Sequence, residues 1–378
     1  MGVFWRGPAV LNSAIPDCSR LNQEPPEAMS LSSSQTPSAI LVLLPNWLGD
    51  AVMCTPALRA LKKRYPEAEI TAAGKGACCA VLEGFPWVDR LLTLPDRPGL
   101  STSIKLRSSL RAGRAELAVI FPHAFRAAWL AWLSGAPRRV GLDRGGRRFL
   151  LTQALARHRI DGKLVPRYTA LEYLDLAAMV GAEDDGLGLE LAADPAEMAD
   201  VKALIDPARP LVGIAPGAAF GPSKRWLPER FAALADRLYK EHGAQCLLMT
   251  GPGEEETRDA VRGAATTPLL EYHGGKPSIA RLKAAIACVD LLIGNDNGPR
   301  HVAIAFGKPV VCIMGSTSPA YTESPWERGE VLRIDVDCGP CQKPHCVTDH
   351  RCMTGISVER AAAAASRWLA PSSRTTSI

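Results

Sequence analysis

The sequence predicts an α/β fold: two Rossmann-like halves whose mostly parallel sheets face each other across a cleft. Two segments, one in each half, carry that expectation. The first is Asn46-Trp47-Leu48-Gly49-Asp50, which follows the apolar run Ala39–Leu44 and leads into Thr55-Pro56. The second is Gly294-Asn295-Asp296-Asn297-Gly298, which follows Val289–Ile293 and leads into His301. Each reads as a strand, a tight glycine-containing loop and a helix. Such a loop aims backbone N–H groups and a helix N-terminus at one point, a seat for phosphate. The acidic residue in each loop adds the means to take a proton or grip a sugar. Length is the third observation, because 378 residues exceed one ordinary core and fit two domains.

Along the first half, strand-like runs alternate with amphipathic stretches. Ala39–Leu44 reads as a strand, Ala51–Arg64 as a helix and Glu69–Ala73 as a strand. Val88–Leu94 and Leu117–Phe121 are further strands, and a helix over Ala124–Leu133 follows the second. This βα series argues for a parallel sheet. Arg138–Arg159 is basic and contains glycines but shows no clear period, and Arg167–Val180 reads as a helix. Asp184–Asp206 is acidic and alanine-rich, with Pro195 near a helix start, and is the expected inter-domain link.

The second half restarts with a buried strand, Leu211–Ala215, and the turn Pro216-Gly217. Pro228–His242 is a helix with proline in its opening turn. Gln245–Thr250 and Leu269–His273 read as strands, Ser278–Val289 as a helix, Asp290–Gly294 and Pro309–Met314 as strands, and Ser357–Leu369 as a closing helix. The expected divisions are a disordered tail over 1–38, an N-terminal domain over 39–190, a C-terminal domain over 207–356 and a closing helix over 357–370.

Composition narrows the function classes. A content of 47% hydrophobic and 22% charged residues is that of a soluble globular chain. A net charge of +5 is too modest for a dedicated nucleic-acid binder. No apolar stretch is long enough to span a bilayer; the longest, Ala127–Leu133, reads as a buried helix face. Residues 1–38 are rich in Ser, Pro, Gln and Asn and lack a secretory pattern. They read as a tail, or as an over-extended start with the true one at Met29. Residues 371–378 also read as unstructured. Scattered cysteines suit a reducing cytosol. Four of the eleven are clustered: Cys338, Cys341, Cys346 and Cys352. That spacing admits a structural metal, with His345 and His350 nearby, but only Cys338 and Cys341 form a tight pair. The expectation is no metal. Asp335-Val336-Asp337 beside the cluster reads as structural.

Several residues carry candidate chemistry. Asp50 lies where α/β sheets place ligands, and is either a base that takes a proton from an acceptor hydroxyl or a helix cap. Asn297 and Gly298 open a helix suited to a diphosphate. Asp296 is repelled by phosphate and better accepts hydrogen bonds from sugar hydroxyls. His301 is either a ligand contact or a ring packed under the loop. Gly217 permits close backbone approach, and Lys224 is either a cation for a departing diphosphate or half of a solvated Lys224-Arg225 pair. Glu254 is either a ribose-hydroxyl acceptor or an ordinary first-turn glutamate. Arg107, Arg111, Arg114, Arg138, Arg139, Arg144, Arg147, Arg148, Arg157, His158 and Arg159 form a basic stretch. It is either a solvated face or a surface for an acidic acceptor or an anionic membrane.

In these residues the chain resembles the ADP-heptose:lipopolysaccharide heptosyltransferases of glycosyltransferase family 9. The matching elements are Leu48-Gly49-Asp50 with Thr55-Pro56-Ala57-Leu58, Pro216-Gly217 with Lys224-Arg225-Trp226, and Asn295-Asp296-Asn297-Gly298 with His301. Gly315, Thr317, Ser318 and Pro319 match too, and the pattern ending in Cys352-Met353 resembles the heptosyltransferase II type. The resemblance spans roughly residues 39 to 369.

It implies a GT-B fold, with ADP-heptose mainly on the C-terminal half and a lipid A–core acceptor on the N-terminal half. It implies inverting transfer with no cofactor or essential metal, in the cytoplasm or at the cytoplasmic face of the inner membrane. By this resemblance Asp50 is the base and Lys224 sits at the donor phosphates. By it too Asp296 lies near the heptose, with Asn297 and Gly298 in the phosphate loop; from the reading of the residues themselves, Gly217, Glu254 and His301 are expected to join the donor side, and Asn46, Gly49, Arg144 and Arg147 the acceptor side. Asn297 stands where the family often has Ser or Thr, and Arg300 departs from the family's commoner neighbours. A different heptose step, another nucleotide sugar and a non-catalytic nucleotide-binding protein remain as alternatives. A nicotinamide-dependent oxidoreductase is disfavoured, because the first loop lacks Gly-x-Gly-x-x-Gly.

Overall fold

The structure is a computed structural model that describes residues 36–96, 100–156, 158–160, 163–272 and 277–369. The expected tail over 1–35 and the C-terminal residues 370–378 lie outside these residues. The end of the expected tail is tied down, because Ser38 Oγ donates to Glu116 Oε1 at 2.8 Å and Ser38 O accepts from Glu69 N.

The first half contains β1 (Ala39–Leu43), α1 (Leu48–Met53), α2 (Thr55–Arg64), β2 (Glu69–Gly74), α3 (Gly76–Val81), β3 (Arg90–Thr93), α4 (Leu100–Lys105), α5 (Arg107–Ala112), β4 (Leu117–Ile120), α6 (Phe125–Leu133), β5 (Arg138–Leu142) and β6 (Gln153–Leu155). A short antiparallel pair follows, β7 (Arg159–Ile160) and β8 (Lys163–Leu164), and then α7 (Thr169–Ala178) and α8 (Pro195–Lys202). The second half contains β9 (Leu211–Ala215), α9 (Pro228–His242), β10 (Gln245–Leu248), α10 (Glu255–Ala264), β11 (Leu269–Glu271), α11 (Ile279–Cys288), β12 (Leu291–Asn295), α12 (Gly298–Ala305), β13 (Val310–Ile313), β14 (Gly329–Leu332), α13 (Arg351–Thr354) and α14 (Val358–Leu369).

The strands form two six-stranded parallel sheets with the same plan. Their orders are β3-β2-β1-β4-β5-β6 and β11-β10-β9-β12-β13-β14. Helices cover both faces of such sheets, so the inner strands are apolar throughout. Every residue of β4, β9, β10, β12 and β13 is buried. In each sheet the chain steps outward from the first strand, then crosses back to its other side. The crevices at the C-terminal ends of β1/β4 and β9/β12 are the resulting switch points, where open α/β sheets bind ligands.

Four sequence expectations need correction. The helix expected over Ala51–Arg64 is two helices. Pro56 lacks an N–H and its ring crowds the carbonyl four residues back. That carbonyl, Val52 O, instead accepts from Thr55 Oγ1 at 2.8 Å. The aperiodic stretch Arg138–Arg159 contains β5 and β6, and β14 also escaped notice. The expected link contains α8, capped by Asp194, whose side chain accepts from Ala196 N, and packed against α11. Finally, α6 buries only one face, and Trp132 on the other is 47% exposed.

Buried charge fastens the first half internally and also ties it to the second. Arg59 is 1% exposed and forms a forked pair with Asp185 at 2.7 and 2.6 Å, which pins the segment after α7 onto α2. Lys283 of α11 donates to Val81 O and Glu83 O at the end of α3. Among the described residues no helix is long and apolar enough to cross a membrane.

Candidate active site

Asp50 is the third residue of α1, in its first turn, and the capping position belongs to Trp47. The helix-cap reading of Asp50 therefore gives way. Among the described residues its carboxylate receives no hydrogen bond. Burial pushes its carboxyl up to about 6; Asp296 and Glu172 add to this, while His123 and Lys224 oppose it. The residues that act on Asp50 come from both halves, so the two switch points share one space.

Direct packing brings them there. A Cβ on Gly49 would lie 2.7 Å from His301 Cδ2, and one on Gly298 would lie 2.8 Å from Leu48 Cδ2. The N-terminal turns of α1 and α12 therefore meet backbone to side chain in both directions. Glycine at both positions permits that approach. His301 is 3% exposed, and its Nδ1 has no hydrogen-bond partner among the described residues. Burial, reinforced by Arg300, lowers its imidazole to about 3, so the ring is neutral at physiological pH. His301 is the ring packed against the first loop.

On the second half, Asp296 is the hub of a buried ion network. Its Oδ2 accepts from Lys224 Nζ at 2.5 Å and Thr317 Oγ1 at 2.9 Å, and its Oδ1 accepts from Arg300 at 2.9 Å. Arg300 is fully buried and makes a second, forked pair with Glu327 at 2.8 and 2.5 Å. Burial pushes the Asp296 carboxyl up, but Lys224 and Arg300 together outweigh it and hold it well below the usual range. Two cations and two anions thus balance with little contact to water, which offsets a desolvation cost that either sign alone would leave uncompensated.

The backbone around this hub is fixed by two asparagines. Asn295 Oδ1 accepts from Trp226 N at 3.0 Å, and its Nδ2 donates to Pro216 O at 2.6 Å. Asn297 caps α12 by accepting from Arg300 N, and its Nδ2 donates to Gly217 O at 2.8 Å. Pro299 has no N–H, and Asn297 takes that of Arg300, which leaves the amide of Gly298 in the first turn of α12. The expected run of donors is therefore shorter than the sequence suggested. Gly217 has a steric reason as well, since a Cβ there would lie 1.9 Å from Glu254 Oε1. Glu254 Oε2 itself accepts from Gly251 N at 2.8 Å.

The turn that carries Lys224 is held from outside. Ser223 N donates to Pro344 O at 3.1 Å, Ser223 Oγ donates to Lys343 O at 2.5 Å, and His350 Nε2 lies 3.1 Å from Ser223 O. The cysteine-rich loop that supplies these groups encloses a small cavity of about 80 Å³ lined by Cys338, Cys341, Cys346 and Cys352. All four are free thiols. Among the described residues no cluster of His, Cys, Asp or Glu is arranged to hold a metal ion.

A family model for glycosyltransferase family 9 (heptosyltransferase) matches residues 103–351. The chain belongs to glycosyltransferase family 9. It is 30% identical over 311 residues to lipopolysaccharide heptosyltransferase 2 of Escherichia coli, across 78% of this chain and 88% of that protein. The solved structure of ADP-heptose LPS heptosyltransferase II from E. coli superimposes with a TM-score of 0.73 at 26% identity, covering 88% of this chain and 98% of that one. A family 9 glycosyltransferase from Veillonella parvula gives a TM-score of 0.77 at 26% identity, covering 88% and 97%. The fold is GT-B, and this family 9 chain is a glycosyltransferase of the heptosyltransferase kind.

On the first half of the family 9 chain, the structure separates the expected acceptor residues. Asn46 is exposed and lines a small cavity of about 40 Å³ at the sheet end, together with Lys75 and Arg126. Arg144 is exposed and lies 2.9 Å from His123 Nδ1, whose other nitrogen pairs with Glu172. Arg147 is a correction. It is fully buried, and its guanidinium donates to the carbonyls of Leu142, Pro122 and Ala124. A fork of N–H groups suits backbone carbonyls as well as anions, so a basic run need not be solvated. Arg138 and Arg139 are likewise partly buried, and Arg139 donates to Leu150 O and Ala136 O. His123 and Glu172 went unnoticed in the sequence. The available signal for His123 was its position just past the C-terminal end of β4, the second strand of the switch point.

Proposed function

We propose that this protein transfers heptose from ADP-heptose to the inner core of lipopolysaccharide, as a heptosyltransferase II. The names of its relatives support this reading, and one observation carries it. The turn of Asp50 packs through Gly49 onto His301 of the helix that follows Asp296, and the Asp50 carboxyl, raised to about 6, feels both Lys224 and Asp296 of the opposite half. A base of that strength is half-matched to neutral pH and has no internal partner to displace.

The reaction is a single in-line displacement. The acceptor hydroxyl loses its proton to Asp50 and its oxygen bonds to the anomeric carbon. The bond from that carbon to the diphosphate oxygen breaks on the opposite face, inverting the centre, and ADP leaves. Lys224 and the Gly298 amide take up the charge that develops on the diphosphate. Lys224 is shared with Asp296 while the donor is bound. Asp296 is then free on one lone pair to receive a sugar hydroxyl. The donor lies on the second half, with Gly217, Glu254 and Asn297 shaping its seat. The acceptor lies on the first, with Asn46, Gly49 and Arg144 along its path and the His123–Glu172 pair beside the base. The lipid anchor of the acceptor brings the enzyme to an anionic membrane surface.

The test is ADP release in the presence of ADP-heptose and defined lipid A–core acceptors that carry no, one or two heptoses. Turnover is expected only with the acceptor that already holds the first heptose. Turnover with another nucleotide sugar, and none with ADP-heptose, would reject the donor assignment. Stabilisation by ADP but not UDP or NAD in a thermal melt is the companion result.

A further inference from the structure

We propose that the outward face of α6, with the turn Arg148–Leu150 beside it, docks onto an anionic lipid bilayer. The argument starts from helical spacing. In α6 the buried residues are Ala127, Ala128, Leu130, Ala131 and Leu133. The opposite stripe is Phe125, Trp129 and Trp132, spaced i, i+4 and i+7, so all three project from one side. A helix that covers a sheet normally turns polar residues to water on that side. Here Phe125 is 45% and Trp132 47% exposed, and the neighbouring Phe149 is 73% exposed. The patch is continuous: the Phe125 and Phe149 rings are 6.0 Å apart, and Trp129 stacks on Trp132 at 4.9 Å. Exposed aromatic patches of this kind mark contact surfaces, and Trp favours the bilayer interface.

Charge selects the occupant. Residues 97–150 contain eleven Lys and Arg, one of them the buried Arg147, but only two acidic residues, Glu116 and Asp143. This segment exceeds the chain's whole net charge of +5, so the remainder is net acidic. Arg126 and Arg148 adjoin the aromatic stripe, and Arg111 is tied beside it through Leu133 O. Aromatic rings ringed by cations fit an anionic bilayer surface, where each cation adds attraction. The surface also lies at the acceptor end of the cleft, because α6 walls the small cavity that contains Asn46. Docking there points the cleft at the membrane. This orientation rests on the lipid-anchored acceptor proposed above; the docking itself does not.

The experiment is flotation of the full chain with acceptor-free vesicles, so it reads no transfer. Two compositions are compared: phosphatidylcholine alone, and an equimolar mixture of phosphatidylethanolamine and phosphatidylglycerol. The wild type is expected to float with the anionic vesicles only. Trp132→Ser with Phe149→Ser, both at exposed positions, is expected to weaken binding about tenfold or more, as is Arg148→Glu with Arg126→Glu. The aromatic variant should retain full turnover on a deacylated, soluble acceptor and lose most of it on acceptor embedded in vesicles. Wild-type protein that fails to float, or aromatic variants that float like wild type, overturns the proposal. So does a wild-type dimer that the aromatic substitutions split, since the face then belongs to a second copy. A transferase with another donor would still float, so failure of the donor assignment is distinguishable.

Discussion

The imidazole of His301 lies against the backbone of Gly49, so close that a methyl group on that glycine would stand 2.7 Å from Cδ2. The contact joins the turn that carries Asp50 to the helix that opens at Gly298. Gly49→Ala is therefore expected to cost about 1–3 kcal/mol of stability, the usual penalty of overpacking, and to lower kcat/KM. His301→Ala should return part of that loss in the double variant, because the two sites couple through one contact. Urea denaturation of the four proteins checks this, and strict additivity would remove the contact from the account.

Asp50→Asn separates chemistry from binding. Turnover should fall by about 10³-fold, while ADP affinity measured by calorimetry stays close to wild type. Near-normal turnover in this variant would end its assignment as the base.

The raised carboxyl of Asp50 also fixes a pH dependence. In the proposed reaction Asp50 must be ionised, so kcat/KM should rise with pH through about 6 and level off above it. Stability runs the other way. An acid whose folded pKa lies above its unfolded value binds an extra proton in the native state between the two. Its contribution is therefore lost as pH rises from about 4 to about 6, by about 1–3 kcal/mol in total. Asp50→Asn should accordingly be more stable than wild type near neutral pH, with the difference vanishing in acid. Denaturation midpoints across that range decide it; an advantage independent of pH would contradict the cause given.

The ion network predicts an ordering. Arg300→Met leaves Asp296 and Glu327 buried without their shared partner and should destabilise by about 3–5 kcal/mol. Lys224→Met leaves Asp296 with Arg300 and Thr317, so the fold should survive while kcat drops about 10²-fold. Thermal melts and steady-state ADP release on the same preparations separate the two effects. A folded, active Arg300→Met protein would show that the network is dispensable.

Much of this architecture was legible because buried parallel strands spell themselves out. Leu211–Ala215 and Ala39–Leu43 are apolar throughout, and each is followed by a glycine-containing turn. β5 was hidden because it opens with Arg138 and Arg139, whose charge suggested solvent while Arg139 in fact bonds carbonyls inside the fold. Short edge strands such as β6 and β14 offer too few residues for a period to appear. In the site, the loop residues Asp50, Asp296 and Gly298 stood out because chemistry and turn geometry coincide in them. His123, Glu172 and Glu327 did not, since only tertiary folding brings them to their partners. Arg147 was misread for the same reason as Arg139: a guanidinium can end a loop's carbonyls as readily as it meets an anion.

The three-point hold on Ser223 bears on how a nucleotide is greeted. Its amide, hydroxyl and carbonyl are all engaged by the stretch from Lys343 to His350. The main chain under Lys224 is thus held in place, and the ammonium at the other end of its stem is held by Asp296. In the proposed reaction the donor would therefore meet a lysine whose main chain and ammonium are both already placed, so little ordering entropy is left to be lost at that step.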